Sequence, residues 1–306
     1  MELENIKAVI GTNSWGSSAY EKVLRGDYVG EMALKELVDA AAEKGFYVLD
    51  TAQDYGFGLG QKIIGNIKRE DTVISAKYTP MGAYKQDQVR KSLEKDLQDI
   101  GRDYVDIYWL HLPSSVEENL AEMIALYKEG KIRNVGISNF NLEETQAAKK
   151  ILEETGVPLY GVQNHFSVLS RGWDRQGLIS WCRENCIAFW GWATLEEGVL
   201  TGKQKSKGAL EFFFGGKRKK LKLLFDVMES IGGKYGLDTA GTAIAYSCAK
   251  GVIPIVGCRK TSRIDPLFKA VNAKLTEEDI LALEKAADET RTTVLGDDTF
   301  RFAVKK

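Results

Sequence analysis

The chain has 306 residues, 44% hydrophobic and 28% charged, enough apolar material to bury a core without disulfides, a metal or a partner. Its 42 Lys and Arg against 43 Asp and Glu leave a formal charge of -1, so no net field holds nucleic acid or an anionic membrane. The opening Met1-Glu2-Leu3-Glu4-Asn5 has no basic start or apolar run, and no segment approaches about 18 uninterrupted apolar residues, so a soluble cytoplasmic protein is expected.

From the N-terminus onward, short β-branched and aromatic runs alternate with amphipathic stretches, which is the βα pattern. Strands are predicted at residues 9–11, 46–50, 72–77, 104–111, 132–138, 158–163, 186–191 and 252–257. Leu34, Leu37, Val38 and Ala41 fall at i, i+3, i+4, i+7 between the first two, and Leu120, Met123, Ile124 and Tyr127 repeat that spacing before the fifth. Each helix would bury one stripe against the sheet. No Pro-, Gly- or Ser-rich linker divides the chain, so residues 1–306 are expected to form one (β/α)8 TIM barrel domain. The interval between the seventh and eighth strands is much longer than the others. Residues 221–235 read there as an extra helix ahead of 239–249, an insertion at the C-terminal face. Pro254 argues against a central eighth strand, because proline cannot donate to a ladder.

Competing folds find little support. Gly56-Phe57-Gly58-Leu59-Gly60-Gln61 fails the dinucleotide fingerprint at its third glycine, and Gly241 is followed directly by Thr242, without the lysine of a phosphate loop. Cys182, Cys186, Cys248 and Cys258 are too scattered for a disulfide framework and are expected to be reduced. His111 and His165 are the only histidines, so no metal site is expected.

In a barrel of this kind, polar residues at the C-terminal strand ends share one mouth. Asp50 ends the second strand, Lys77 the third and His111 the fourth, while Tyr55 sits just beyond the second. Each alone has an ordinary explanation as a cap, a snorkelling cation or a satisfied core group. A carboxylate, an ammonium, a phenol and an imidazole on successive strands are harder to dismiss.

This arrangement resembles the aldo-keto reductase family along nearly the whole chain. Asp50-Thr51-Ala52-Gln53-Asp54-Tyr55-Gly56 is similar to the family's Asp and Tyr segment, Lys77 to its strand-end lysine, and Tyr108-Trp109-Leu110-His111-Leu112-Pro113 to its histidine segment. Further blocks follow in the family's order at Gly136-Ile137-Ser138-Asn139-Phe140, Val162-Gln163-Asn164, residues 198–203 and residues 253–257. The resemblance implies reduction of an aldehyde or ketone, with Asp50, Tyr55, Lys77 and His111 as the catalytic set. Tyr55 would donate the proton, Lys77 would lower the phenol's pKa, Asp50 would hold Lys77, and His111 would polarise the carbonyl.

The resemblance also implies a dinucleotide across the mouth. Ser138, Asn139 and Gln163 would hold its carboxamide, and Trp192 would stack on the nicotinamide in place of the family's usual tyrosine. Cys258-Arg259-Lys260-Thr261-Ser262-Arg263 offers Arg259, Lys260 and Arg263 to an adenosine 2′-phosphate, which predicts NADPH over NADH. The Glu-Asn pair common after this segment in the family is Pro266-Leu267 here. Trp15 is placed in the substrate pocket, Phe212-Phe213-Phe214 over it, and His165 in a structural role.

The basic run from Lys203 to Lys222 reads as a solvated face or as a segment folding over the cofactor pyrophosphate. Two rival functions are a Schiff-base aldolase with Lys77 as nucleophile and a cofactor-binding sensing subunit with little turnover.

Overall fold

The computed structural model describes residues 3–202 and 209–295. Eight parallel strands run in chain order around a closed barrel: β1 Val9–Gly11, β2 Val48–Asp50, β3 Val73–Tyr78, β4 Ile107–Leu110, β5 Val135–Ser138, β6 Leu159–His165, β7 Ala188–Trp192 and β8 Ile253–Gly257. Closure comes from β8 pairing with β1, Val9 opposite Ile255 and Gly11 opposite Gly257. Helices fill the connections and form the outer layer.

All eight predicted strands exist, and their boundaries shift for one reason. Phe46 is buried outside the ladder and Val105 makes only an isolated bridge to Ile132, so β2 and β4 begin later than hydrophobicity suggests. At the other end β6 runs on to His165 and β7 to Trp192, while His111 lies one residue past β4. Pro254 sits inside β8 after all. The β7–β8 ladder registers only Trp190 with Ile253 and Gly191 with Pro254, and this short pairing tolerates a missing N–H.

The helix patterns hold. Helix Glu31–Glu43 buries Leu34, Leu37, Val38 and Ala41, and helix Val116–Lys128 buries Leu120, Met123 and Ile124. Between β7 and β8 the described residues form helices Ala209–Phe214, Lys222–Tyr235 and Thr239–Ala249. Helix Lys222–Tyr235 belongs to the outer layer: Lys234 and Tyr235 both bond Asp279 of helix Glu277–Glu289, at 2.6 and 2.5 Å. In the basic run, Lys203, Lys205 and Lys207 lie outside the described residues. Lys217 donates to the Thr293 and Val294 carbonyls, and Lys222 pairs with Asp226.

Alternation along the strands points Val48, Val73, Ile107, Trp109, Trp190 and Ile255 inward, where they form the barrel's own small core. Two indoles dominate it, their rings 5.1 Å apart. They fit because β5 carries Gly136, where a Cβ would lie 2.3 Å from the Trp109 ring. This aromatic plug is the floor on which the polar strand ends stand.

Candidate active site

The C-terminal ends of β2 and β3 point Asp50 and Lys77 at each other. Lys77 Nζ lies 2.5 Å from Asp50 Oδ2 and donates to the Thr51 carbonyl at 2.9 Å, with both residues nearly inaccessible to water. An ammonium this deep persists because a carboxylate and a carbonyl replace its hydration. The other Asp50 oxygen accepts from Ser75 Oγ at 2.8 Å and from Gln163 Nε2 at 3.0 Å.

Tyr55 opens the segment Tyr55–Gly58 just past β2, two short turns kinked where Gly56 and Phe57 take positive φ. Gly56 makes this turn possible: its φ is +63°, and a Cβ there would lie 2.4 Å from the Trp15 carbonyl oxygen. Lys77 Nζ lies 5.2 Å from the Tyr55 ring centroid. Even so, the phenol's pKa is raised well above its ordinary value, first by burial and then by the charges of Asp50 and Asp54. The expected lowering by Lys77 is thereby corrected. Burial and the two carboxylates outweigh whatever the ammonium contributes, so the phenol stays protonated at rest.

His111 accompanies them from the end of β4. Burial and then the Lys77 charge push its pKa down to about 3, so the imidazole is neutral. Thr79 Oγ1 lies 2.8 Å from Nδ1, and a neutral ring receiving the Thr79 proton there carries its own on Nε2. Asn139 Nδ2 donates to the His111 carbonyl at 2.9 Å, tying β5 to β4. Lys77 thus touches Asp50, lies over the Tyr55 ring and is close enough to His111 for its charge to act on the imidazole.

The predicted carboxamide contacts stand beside it. Ser138 donates to the Gln163 carbonyl at 2.6 Å, and the Asn139 amide N–H donates to Asn164 Oδ1 at 2.6 Å. Trp192 is half-buried, donates from Nε1 to Asn139 Oδ1 at 3.2 Å, and stacks on His165 with ring centroids 4.6 Å apart. His165 in turn lies 3.0 Å from the buried Glu196. Burial alone would raise the Glu196 pKa, but hydrogen bonds from His165 and Ser167 hold it below the usual range.

Two predicted residues are placed otherwise than expected. Trp15 is wholly buried, with Nε1 donating to the Cys258 carbonyl at 2.8 Å; it anchors the β1 loop to the end of β8 and does not wall a pocket. Arg259 is taken up within the chain: Nη1 meets Asp27 Oδ1 at 2.5 Å and Nη2 meets the buried Glu21 at 2.6 Å. Lys260 stands 3.5 Å from Asp27, and Arg263 is exposed immediately before helix Ile264–Asn272. Burial opposes ionisation of Asp27, yet Arg259 and Lys260 hold its carboxyl below the ordinary value.

Sequence reasoning missed Ser75, Thr79, Trp109 and Glu196. Ser75 and Trp109 had a usable signal, since each precedes a predicted catalytic residue by two positions and so shares its face of the strand. Among the described residues no group of three or more His, Cys, Asp or Glu side chains is arranged to hold a metal, and no helix is long and apolar enough to cross a membrane.

The comparisons with known proteins agree with this fold. The model of the Aldo/keto reductase family matches residues 7–288. A chloroplastic pyridoxal reductase of Arabidopsis thaliana is 27% identical, over 93% of this chain and 84% of its own length. Among solved structures, the thermostable aldo-keto reductase Tm1743, in complex with the inhibitor epalrestat, superimposes with a TM-score of 0.74 at 25% identity, covering 92% of this chain and 94% of that one. An aldo-keto reductase from Klebsiella pneumoniae in complex with NADPH gives 0.69 at 22% identity, over 91% and 90% of the two chains.

Proposed function

We propose, from the premise that this chain belongs to the aldo/keto reductase family, that it reduces an aldehyde or ketone to the alcohol, using NADPH in preference to NADH and Tyr55 as proton donor. The observation that carries this reading is the dry Lys77–Asp50 pair beneath a protonated Tyr55 with a neutral His111 alongside.

The donor set suits a nicotinamide dinucleotide. Ser138, Asn139 and Gln163 are buried amide and hydroxyl groups at adjoining strand ends, matched to a carboxamide, and Trp192 beside them presents an indole face. Exposed Lys260 and Arg263 would meet the 2′-phosphate, with Arg259 adding the arm released from Asp27 while Glu21 holds the other. The NADPH held by the Klebsiella neighbour supports the same assignment. When bound, the cofactor supplies a hydride.

The remaining chemistry belongs to the chain. Reduction leaves charge on the substrate oxygen, and Tyr55 gives that oxygen its phenolic proton. Lys77 steadies the phenolate that results, which is where its charge matters most, and Asp50 keeps Lys77 oriented. His111 donates its Nε2 proton as a hydrogen bond to the same oxygen and polarises the carbonyl. We place this activity in a single barrel unit and, given four unpaired cysteines, in the reducing cytoplasm.

Fluorescence titration with NADPH and NADH, followed by a panel of aliphatic and aromatic aldehydes and ketones read at the nicotinamide absorbance, tests the reading. Tight NADPH binding with consumption by at least one carbonyl class is expected. Binding without consumption anywhere in the panel would instead indicate a sensing subunit.

A further inference from the structure

Beneath the ion pair runs a second line of hydrogen bonds that the proposed chemistry does not use. Trp109 Nε1 donates to Ser75 Oγ at 2.7 Å, and Ser75 Oγ donates to Asp50 Oδ1 at 2.8 Å. Both residues are wholly buried. A serine hydroxyl has one proton to give, so accepting from the indole leaves that proton aimed at the carboxylate, and each bond polarises the next. The indole itself has little room to move. Trp190 packs against it at 5.1 Å, and the missing side chain of Gly136 leaves a slot for its six-membered ring.

We propose that Trp109 and Ser75 form a fixed strut from the centre of the barrel to Asp50 and are positioning residues for proton transfer at Tyr55. The strut sets the carboxylate, the carboxylate sets Lys77 Nζ, and Lys77 faces the phenol. Asp50 then needs no guidance from substrate, because its second oxygen is already held by the barrel floor and by Gln163. The proposal rests on the reductase reading above.

Ser75→Ala removes the strut's middle with almost no change in volume. It is measured beside Trp109→Phe, the double variant and wild type, each by NADPH affinity, by kcat with one aldehyde of the panel, and by thermal melting. Ser75→Ala should lower kcat by about tenfold or more, with NADPH affinity within about twofold, since small misplacements of catalytic groups have effects of this size. Trp109→Phe should lower kcat on its own yet add nothing in the Ser75→Ala background, because its influence passes through the hydroxyl. A Ser75→Ala enzyme that melts as a folded protein and keeps wild-type kcat would overturn the strut. So would equal effects of Trp109→Phe in both backgrounds, which would make the indole a packing residue only. A wild-type enzyme that binds NADPH but reduces no carbonyl would overturn the underlying reductase reading, and the strut with it.

Discussion

Lys77 meets Asp50 at 2.5 Å with side chains 1% and 3% exposed, whereas Arg259 meets Asp27 at the same separation with 46% of the Asp27 side chain in water. Distance alone would rank the two pairs as equals. Burial separates them. A pair out of water cannot lose one partner without stranding a charge in a dry site, so it behaves as a permanent fixture of the barrel. With its carboxylate half in water, the Asp27 pairing is worth only about 0–1 kcal/mol and yields readily to another ion, while Arg259 keeps its second contact to buried Glu21. The same mouth thus carries a rigid end, where proton transfer needs fixed geometry, and an exchangeable end, where an anion such as a phosphate can displace a carboxylate.

The contrast is tested most severely at Lys77. Lys77→Met should reduce kcat by about 100-fold or more, the scale of a lost acid-base contribution. It should also destabilise the fold by about 3–5 kcal/mol by leaving Asp50 alone, as measured by urea denaturation. Adding Asp50→Asn to that variant should restore most of the stability and none of the rate. If stability does not return, the ion pair is not what Lys77→Met disrupts. At the exchangeable end, Asp27→Asn should tighten NADPH several-fold relative to NADH by releasing Lys260 and one arm of Arg259, whose other arm stays on buried Glu21, with little effect on melting. An unchanged ratio in a fluorescence titration would mean that Asp27 does not compete with the 2′-phosphate for these cations.

A pH-dependent effect concerns His111. Its folded pKa of about 3 lies below the ordinary imidazole value of about 6.5, so the neutral form is favoured by folding. The stability it contributes is present in full above about 6.5 and is lost as pH falls toward 3, by at most about 1.4 kcal/mol per pH unit. Comparing wild type with His111→Asn across that range should isolate this slope. Turnover should pass through pH 6.5 with no inflection due to His111, and a bell-shaped limb there that vanishes in His111→Asn would show that the imidazole does titrate.

The rigid end was the more readable of the two from the chain alone. Asp50, Lys77 and His111 close successive strands, and period-two alternation fixes which way strand residues face once the strands are assigned. Ser75 and Trp109 obey the same alternation but pass for ordinary core, because nothing local says that a serine hydroxyl will reach a carboxylate 25 residues away. The exchangeable end resisted for a different reason. Arg259 finds its carboxylates 238 and 232 residues earlier, on helix Ser18–Arg25 and just beyond it, in a segment entered past the two close-packed glycines Gly16 and Gly56. Trp15 failed alike: an aromatic beside a strand end looks like a pocket wall until the loop folds back and donates its indole N–H to Cys258.

The decisive experiment is a stopped-flow comparison of wild type and Tyr55→Phe, each loaded with NADPH and mixed with a carbonyl substrate from the panel. The account predicts equal NADPH affinity for the two proteins and a loss of nicotinamide oxidation on the order of 1,000-fold in the variant, since only the phenolic proton has been removed. Oxidation by Tyr55→Phe at the wild-type rate would contradict it and remove Tyr55 from the reaction.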